Sequence, residues 1–412
     1  MFKGIQNIPK NWTVSLIPEV LYFQEGPGVR KWQFTTSGVK LLNGGNINNN
    51  ELHLDSTKIY ISKEEASGKY RHFLIESGDL VIACSGILVE KFKSKIAFVE
   101  EKHLPLCLNT STMRFKSLGS VDLKFFSYFL QTEHFSDQLA KLITGSAQLN
   151  FGPSHINKIH VPLPTLEEQK TIAAILDAAD DCKHKTKALI EKYDQLTQSL
   201  FLDMFGDPVT NPKGWSQAPI GDVIDVRDGT HDSPKYTHEG YPLITSKNIV
   251  DGKLSFQEVN LISKTDFDSI NRRSKVEFGD IIMPMIGTIG NPVQVLTEEP
   301  FAIKNVALFK KSTDQILLMP ILFMILKGHY LLYYSSENNR GGTQKFLSLG
   351  AIRRMPVYLP HLNLQIQFAE RVAQIEKQKQ QVEASLVKAE ELFKSLLNRA
   401  FEKGLSGKVP HA

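Results

Sequence analysis

The sequence predicts a duplicated α/β (α+β) fold: two mixed α/β domains separated by two long helices that form an antiparallel coiled coil. Three observations carry that expectation. The chain is written twice, two helix-length stretches share one apolar period, and short β-branched and aromatic runs between turn residues fill the remainder.

Gly145-Ser146-Ala147-Gln148 recurs as Gly341-Gly342-Thr343-Gln344, an offset of 196 residues. The same offset relates Asn109 to Asn305, Pro164 to Pro360, Gln169 to Gln365, Leu196 to Leu392 and Phe205 to Phe401. Nearer each start the offset drifts, as short loop insertions require. There Pro9 and Trp12 answer Pro212 and Trp215, and Gly78-Asp79 answers Gly279-Asp280. Such a period is too long for a solenoid and duplicates a whole domain with its appendage. The domains then divide as 1–164, a helix over 165–207, a second domain over 208–360, and a second helix with a C-terminal tail over 361–412.

Taken in order, strands are expected at 58–62, 80–84 and 95–99, then a helix over 123–140. The second copy repeats this with strands at 280–283 and 305–309 and a helix over 319–335. Asn43-Gly44-Gly45-Asn46 and Asp251-Gly252 are turn sequences. Trp12 and Trp215, each three residues after a proline, read as core anchors. Proline hinges, Val161-Pro162-Leu163-Pro164 and Val357-Tyr358-Leu359-Pro360, lead into the two helices.

Those helices carry the clearest periodicity. Phe368, Val372, Ile375, Lys379, Val382, Leu386, Ala389, Phe393, Leu396 and Ala400 follow alternating steps of four and three. Ile172, Leu176, Ala179, Lys183, Thr186, Ile190, Tyr193, Thr197, Leu200 and Met204 do the same in the first copy. Neither stretch contains proline or glycine. About 40 residues of helix span roughly 60 Å, more than one globular core needs. Two separate surface helices are the bland alternative, but the shared period, length and polar position make each seam the natural partner of the other. The matched lysines, Lys183 and Lys379, would help fix register. An antiparallel pairing would put the domains at opposite ends of a rod, related by a pseudo-two-fold axis.

Bulk properties narrow the function. With 412 residues, 42% hydrophobic and 22% charged, the chain is an ordinary globular protein of several domains. Its three cysteines, Cys84, Cys107 and Cys182, offer neither a disulfide framework nor zinc spacing, which fits a reducing compartment. The N-terminus lacks a signal-peptide layout. The longest apolar run, 316–326, contains Pro320 and is too short to cross a bilayer, so a cytoplasmic protein is expected, without membrane contact. Net charge is only +4, so any basic face must be local. Catalytic lookalikes fail as well. Asp79 with Glu100-Glu101-Lys102 mimics a metal-dependent nuclease, but the second copy reads Glu298-Glu299-Pro300 there. There is no phosphate-binding loop or methyltransferase cofactor motif, and His231 and His238 lack companions for zinc. No metal site or catalytic residue is expected.

This arrangement closely resembles the specificity subunit of type I restriction-modification systems over essentially the whole chain. The residues that carry the resemblance are Pro162-Leu163-Pro164-Thr165-Leu166-Glu167-Glu168-Gln169-Lys170, the Gly-x-x-Gln loops at 145–148 and 341–344, and Gly78-Asp79-Leu80 with Gly279-Asp280-Ile281. Two segments resemble openings of that family's target recognition domains: Glu25-Gly26-Pro27-Gly28-Val29-Arg30-Lys31-Trp32-Gln33-Phe34 and Asp228-Gly229-Thr230-His231-Asp232-Ser233-Pro234-Lys235-Tyr236. The second hinge departs, with His361-Leu362-Asn363-Leu364-Gln365 replacing the acidic form.

The resemblance implies a non-catalytic chain that reads a bipartite, asymmetric sequence in double-stranded DNA. It further implies two methyltransferase subunits using S-adenosylmethionine and two restriction subunits using ATP and Mg, with no cofactor bound by this chain. Phosphate contacts call for Lys or Arg, and base reading favours Arg, Asn and Gln. In the first domain the candidates are Arg30, Lys31 and Gln33, then Lys91, Lys93 and Lys95 on one face of an extended segment with Phe92 opposite, and Gln148. In the second they are His231 and Lys235, then Arg272, Arg273 and Lys275, and the loop residues Arg340, Gln344 and Lys345. A solvated surface charge is the bland alternative for each. The rival for the whole chain is a structural protein whose rod drives self-association and whose domains bind proteins.

Overall fold

The computed structural model describes residues 8–55, 57–143, 148–250, 252–286, 290–311, 316–338 and 347–404. The chain forms two compact units, residues 1–186 with 385–412, and residues 187–384. Each unit holds one mixed domain and about half of each long helix, α1 (Leu166–Phe205) and α2 (Leu362–Lys403).

In the first unit an antiparallel sheet has the strand order Leu21–Glu25, Thr112–Ser117, Leu80–Ala83, Ile96–Phe98. All four residues of Leu80–Ala83 are buried, which is why this strand reads as a continuous apolar run. Phe115 of this sheet joins Phe125, Phe126, Phe129 and Phe135 in one core. A second sheet runs Leu106–Leu108, Val39–Leu42, Tyr60–Ile61, its first pair parallel and its second antiparallel. Thr13–Leu16 pairs with His160–Leu163, closing the domain's start upon its end. The expected proline hinge is therefore half strand, and Pro162 is tolerated because the sheet has only two strands.

The second unit repeats this plan. Its four-stranded antiparallel sheet has the order Val226–Asp228, Val306–Phe309, Ile281–Pro284, Val293–Gln294. Its mixed sheet runs Tyr236–Thr237, Asn260–Ile262, Tyr241–Ile244, Ala302–Ile303, with the last pair parallel. Gln217–Pro219 pairs with Pro356–Tyr358. Strand Tyr236–Thr237 is the addition. The sequence repeat is thus a repeat of topology.

Two expected helices each divide. The 123–140 segment is Leu123–Phe129 and Glu133–Leu142, because Thr132 turns out of the helix and its hydroxyl caps the Phe135 N–H at 3.3 Å. The 319–335 segment is Met319–Lys327 and His329–Asn338, broken where Gly328 adopts an extended backbone. In both, a local capping preference overrides the apolar period. The strand expected at 58–62 is shorter, Tyr60–Ile61.

Every residue of both expected seams is buried or half-buried. In the first unit Lys183 Nζ lies 4.6 Å from the centre of the Phe393 ring. Further toward the start of α1, Trp12 donates to Glu168 at 3.1 Å and packs edge-on against Phe401. In the second unit Lys379 donates to Asp194 at 2.8 Å, and Phe201 meets Phe368 with ring centres 5.8 Å apart. Rising numbers on one helix meet falling numbers on the other in each unit, so the pairing is antiparallel in both. The seam lysines are not free charges: Lys183 also pairs with Asp180, and Lys379 with Asp194.

The glutamine of each hinge motif explains how the helices are joined to their domains. Gln169, 1% exposed, donates to Pro164 O and Ser120 O and accepts from the Asp122 N–H. Gln365, fully buried, donates to Pro360 O and Ile316 O and accepts from the Leu318 N–H. Each amide ties the first turn of the long helix to the segment opening the domain's own helices. Where the second hinge departs, Leu364 cannot accept as Glu168 does, and Trp215 donates instead to Phe205 O at 2.9 Å.

Candidate nucleic-acid interface

In each domain an outer sheet strand ends in an acid followed by glycine, Glu25-Gly26 or Asp228-Gly229, and the chain then leaves the sheet. A Cβ on Gly26 would lie 2.3 Å from Asn109 O, and one on Gly229 would lie 2.4 Å from Ile303 O. Only glycine lets the opening loop cross the neighbouring backbone so closely.

In the first domain the loop then forms a tight turn, Lys31–Gln33. Arg30 and Lys31 are exposed, and their side chains make no hydrogen bond or ion pair among the described residues. Gln33 corrects the sequence reading. It is 6% exposed, its carbonyl accepts the Arg30 N–H at 3.0 Å, and its amide donates to Glu65 and to Tyr70 Oη. It holds the turn and is not available to read a base. Beside it stands Trp32, 80% exposed, which reasoning from charge and hydrogen-bonding capacity passed over.

The lysine cluster also differs from expectation. Residues Val89–Ser94 form a 3-10 helix, not an extended segment, because Phe92 turns inward to stack on Phe135. Lys91 and Lys93 are exposed without polar partners among the described residues. Lys95 turns in, donating to Asn48 at 2.6 Å and Gly44 O at 3.3 Å. Burial, and secondarily Lys91, lower its pKa. Gln148 pairs through its backbone with Leu88, where Gln148–Asn150 and Ser85–Leu88 form a two-stranded antiparallel sheet.

In the second domain Asp228 organises the loop. His231 places Nε2 2.9 Å from Asp228 Oδ2 and Nδ1 2.9 Å from Asn305 Oδ1. Arg273 pairs with Asp228 at 3.0 Å and donates to Gly229 O at 3.1 Å. The structure therefore gathers His231 and Arg273 onto one acid. Helix Lys264–Ser274 ends here, and Arg272 and Arg273 in its last turn suit its negative pole. Lys275 is exposed beside Glu277 at 3.1 Å. Lys235 and Arg272 are exposed without side-chain partners among the described residues. Arg340, Gln344 and Lys345 lie outside the described residues, as do 145–147 of the first Gly-x-x-Gln loop.

The nuclease lookalike has a structural explanation. Asp79 is buried, accepts the Glu76 N–H, and faces Arg114 at 3.4 Å and Lys116 at 3.6 Å. Asp280 does the same in the second copy, accepting the Glu277 N–H and meeting Lys310 at 2.6 Å. Burial pushes the Cys84 and Cys107 thiols up to about 12, so neither is a poised nucleophile. Among the described residues no group of three or more His, Cys, Asp or Glu is placed to hold a metal, and no helix is long and apolar enough to cross a membrane.

Known proteins match this plan. The family described as the type I restriction modification DNA specificity domain matches residues 9–192 and again 212–388. The type I restriction enzyme MjaVIII specificity subunit of Methanocaldococcus jannaschii is 31% identical over 48% of this chain, and the match spans about half, 47%, of that subunit's length. The EcoKI specificity subunit of Escherichia coli K12 is 22% identical over 97% of this chain and 90% of its own. Among solved structures, the S subunit of a type I restriction-modification system from M. genitalium superposes with a TM-score of 0.52 at 18% identity, covering 97% of this chain and 98% of that one. A chain from a structural study of complex assembly and conformational transition in the type I R-M system superposes at 0.56 and 16% identity, covering 97% and 100%. At such identities the superpositions speak for the fold.

Proposed function

We propose a division of labour for this chain, which belongs to the type I restriction-modification DNA specificity family and is a non-catalytic specificity subunit. Each mixed domain reads one half of a bipartite, asymmetric sequence in double-stranded DNA, and the paired helices set the unread gap. Two methyltransferase subunits, using S-adenosylmethionine to methylate adenine, dock on the duplicated frame, and two restriction subunits using ATP and Mg complete the assembly in the cytoplasm. The chain itself holds no cofactor in this scheme.

One observation carries the reading. The same sheet topology occurs twice, each copy carrying an opening loop with exposed cations, and the two loops differ in sequence. A repeated frame supplies equivalent docking, while unlike loops supply unlike half-sites. Groove faces recur about every 34 Å of duplex, within the reach of helices of about 40 residues.

The test is co-expression with a cognate methyltransferase subunit, followed by mapping of methylated adenines. A split, asymmetric motif and two methyltransferase chains per copy are expected. Saturation with one methyltransferase chain, or a continuous palindromic motif, would overturn the scheme.

A further inference from the structure

Both opening loops carry a feature that charge alone does not explain: an exposed lysine followed at once by an exposed aromatic ring. In the first domain it is Lys31-Trp32, and in the second Lys235-Tyr236. Trp32 is 80% exposed and Tyr236 55% exposed. Neither ring has an aromatic or cationic partner among the described residues. Trp12 and Trp215, by contrast, are anchored within their own units by hydrogen bonds from their indole N–H groups.

We propose that Trp32 and Tyr236 stack against bases of the two half-sites, the adjacent lysines meeting the neighbouring phosphates. This rests on the DNA-reading function proposed above. A large ring left in water is a cost to the free chain, and covering it recovers apolar area. The backbone beneath each ring is held in advance. Gln33 fixes the turn that carries Trp32, and Tyr236 lies in a strand paired with Ile262. A ring carried on a fixed backbone loses less conformational freedom when it engages a flat partner than one on a mobile loop. A base offers such a face where a step is locally opened, as it is by inserted side chains in other DNA complexes.

Two features favour DNA over a protein partner. Unpaired cations flank the rings: Arg30 and Lys31 before Trp32, and Lys235 before Tyr236. The rings also differ between copies, whereas residues that support the common frame, such as Gln169 and Gln365, are the same. Two identical protein subunits would be met by like residues, and two unlike half-sites by unlike ones.

The test uses the full chain and a randomised duplex library, with binding and enriched sequences compared across variants. Trp32→Leu keeps an apolar side chain without a ring face. It should weaken binding roughly tenfold or more and relax preference in one half-site. Tyr236→Leu should act on the other half-site alone, and Trp32→Phe and Tyr236→Phe should restore most of the loss. DNA should quench tryptophan emission in the native chain far more than in Trp32→Phe. If the leucine variants enrich the same sequences at unchanged affinity while Lys31→Ala weakens binding, stacking is wrong and DNA reading stands. If the native chain enriches no sequence, DNA reading itself falls and the stacking proposal with it. Loss of methyltransferase co-purification in the leucine variants, with DNA preference intact, would make the rings protein contacts and overturn the proposal.

Discussion

His231 sits between two oxygens, Asp228 Oδ2 and Asn305 Oδ1, so only the doubly protonated imidazole can donate to both. The hydrogen bond to Asn305 and then that to Asp228 raise its pKa, while burial and the nearby Arg273 oppose the rise. A raised folded value means that the charged form stabilises the loop fully below the ordinary histidine range, and that this contribution is lost as pH climbs through the folded value. The imidazole should therefore titrate by NMR above about 6.5, the ordinary value. Asp228→Asn should move that midpoint down, and an unchanged midpoint would show that the acid does not hold the ring. Because the ring is largely exposed, the effect belongs to the loop's charge more than to global stability. Gln33 teaches the converse at this scale. Its residue type suits base reading, yet Glu65 and Tyr70, more than thirty positions away, take its amide.

At the scale of the element, the first turn of each long helix depends on one buried amide. Gln169→Ala would leave Ser120 O, Pro164 O and the Asp122 N–H without that partner, the Pro164 bond among them being fully buried. Each buried group left unpaired costs about 1–3 kcal/mol. A clear fall in the denaturation midpoint is expected, with a comparable fall for Gln365→Ala, and a loss within measurement error would show that the clamp is dispensable. The repeat announced that this glutamine recurs but not what it holds. The seams were legible throughout, since a period of 3.5 needs no distant partner to be recognised. The breaks at Thr132 and Gly328 were not, because a single capping residue is invisible within an apolar pattern. Beside the seam, burial raises the Asp194 carboxyl but Lys379 and Lys327 outweigh it, leaving its pKa below the usual value.

At the scale of the molecule, the paired helices act as a ruler in the proposed scheme. Removing one heptad from the middle of both α1 and α2 keeps the seams in register and shortens the helices by about 10 Å, roughly three base-pair steps of duplex. Methylation mapping should then return the same two half-sites with a shorter gap. Altered half-sites with an unchanged gap would show that the helices do not measure the spacing.

The sequence by itself determined the duplication, the two helical seams and the α/β character of each domain, because these are periodicities written along the chain. Tertiary structure alone decided which polar side chains are committed and which groups are presented. Asp79 and Asp280 are closed in by basic residues on or just past the neighbouring strand, Lys95 turns back to Asn48, and Trp32 stays in water although rings such as Phe125 and Phe401 are fully buried. The reason is physical: burial and hydrogen-bond partnership depend on residues brought together from far apart in the chain, and no local pattern records them.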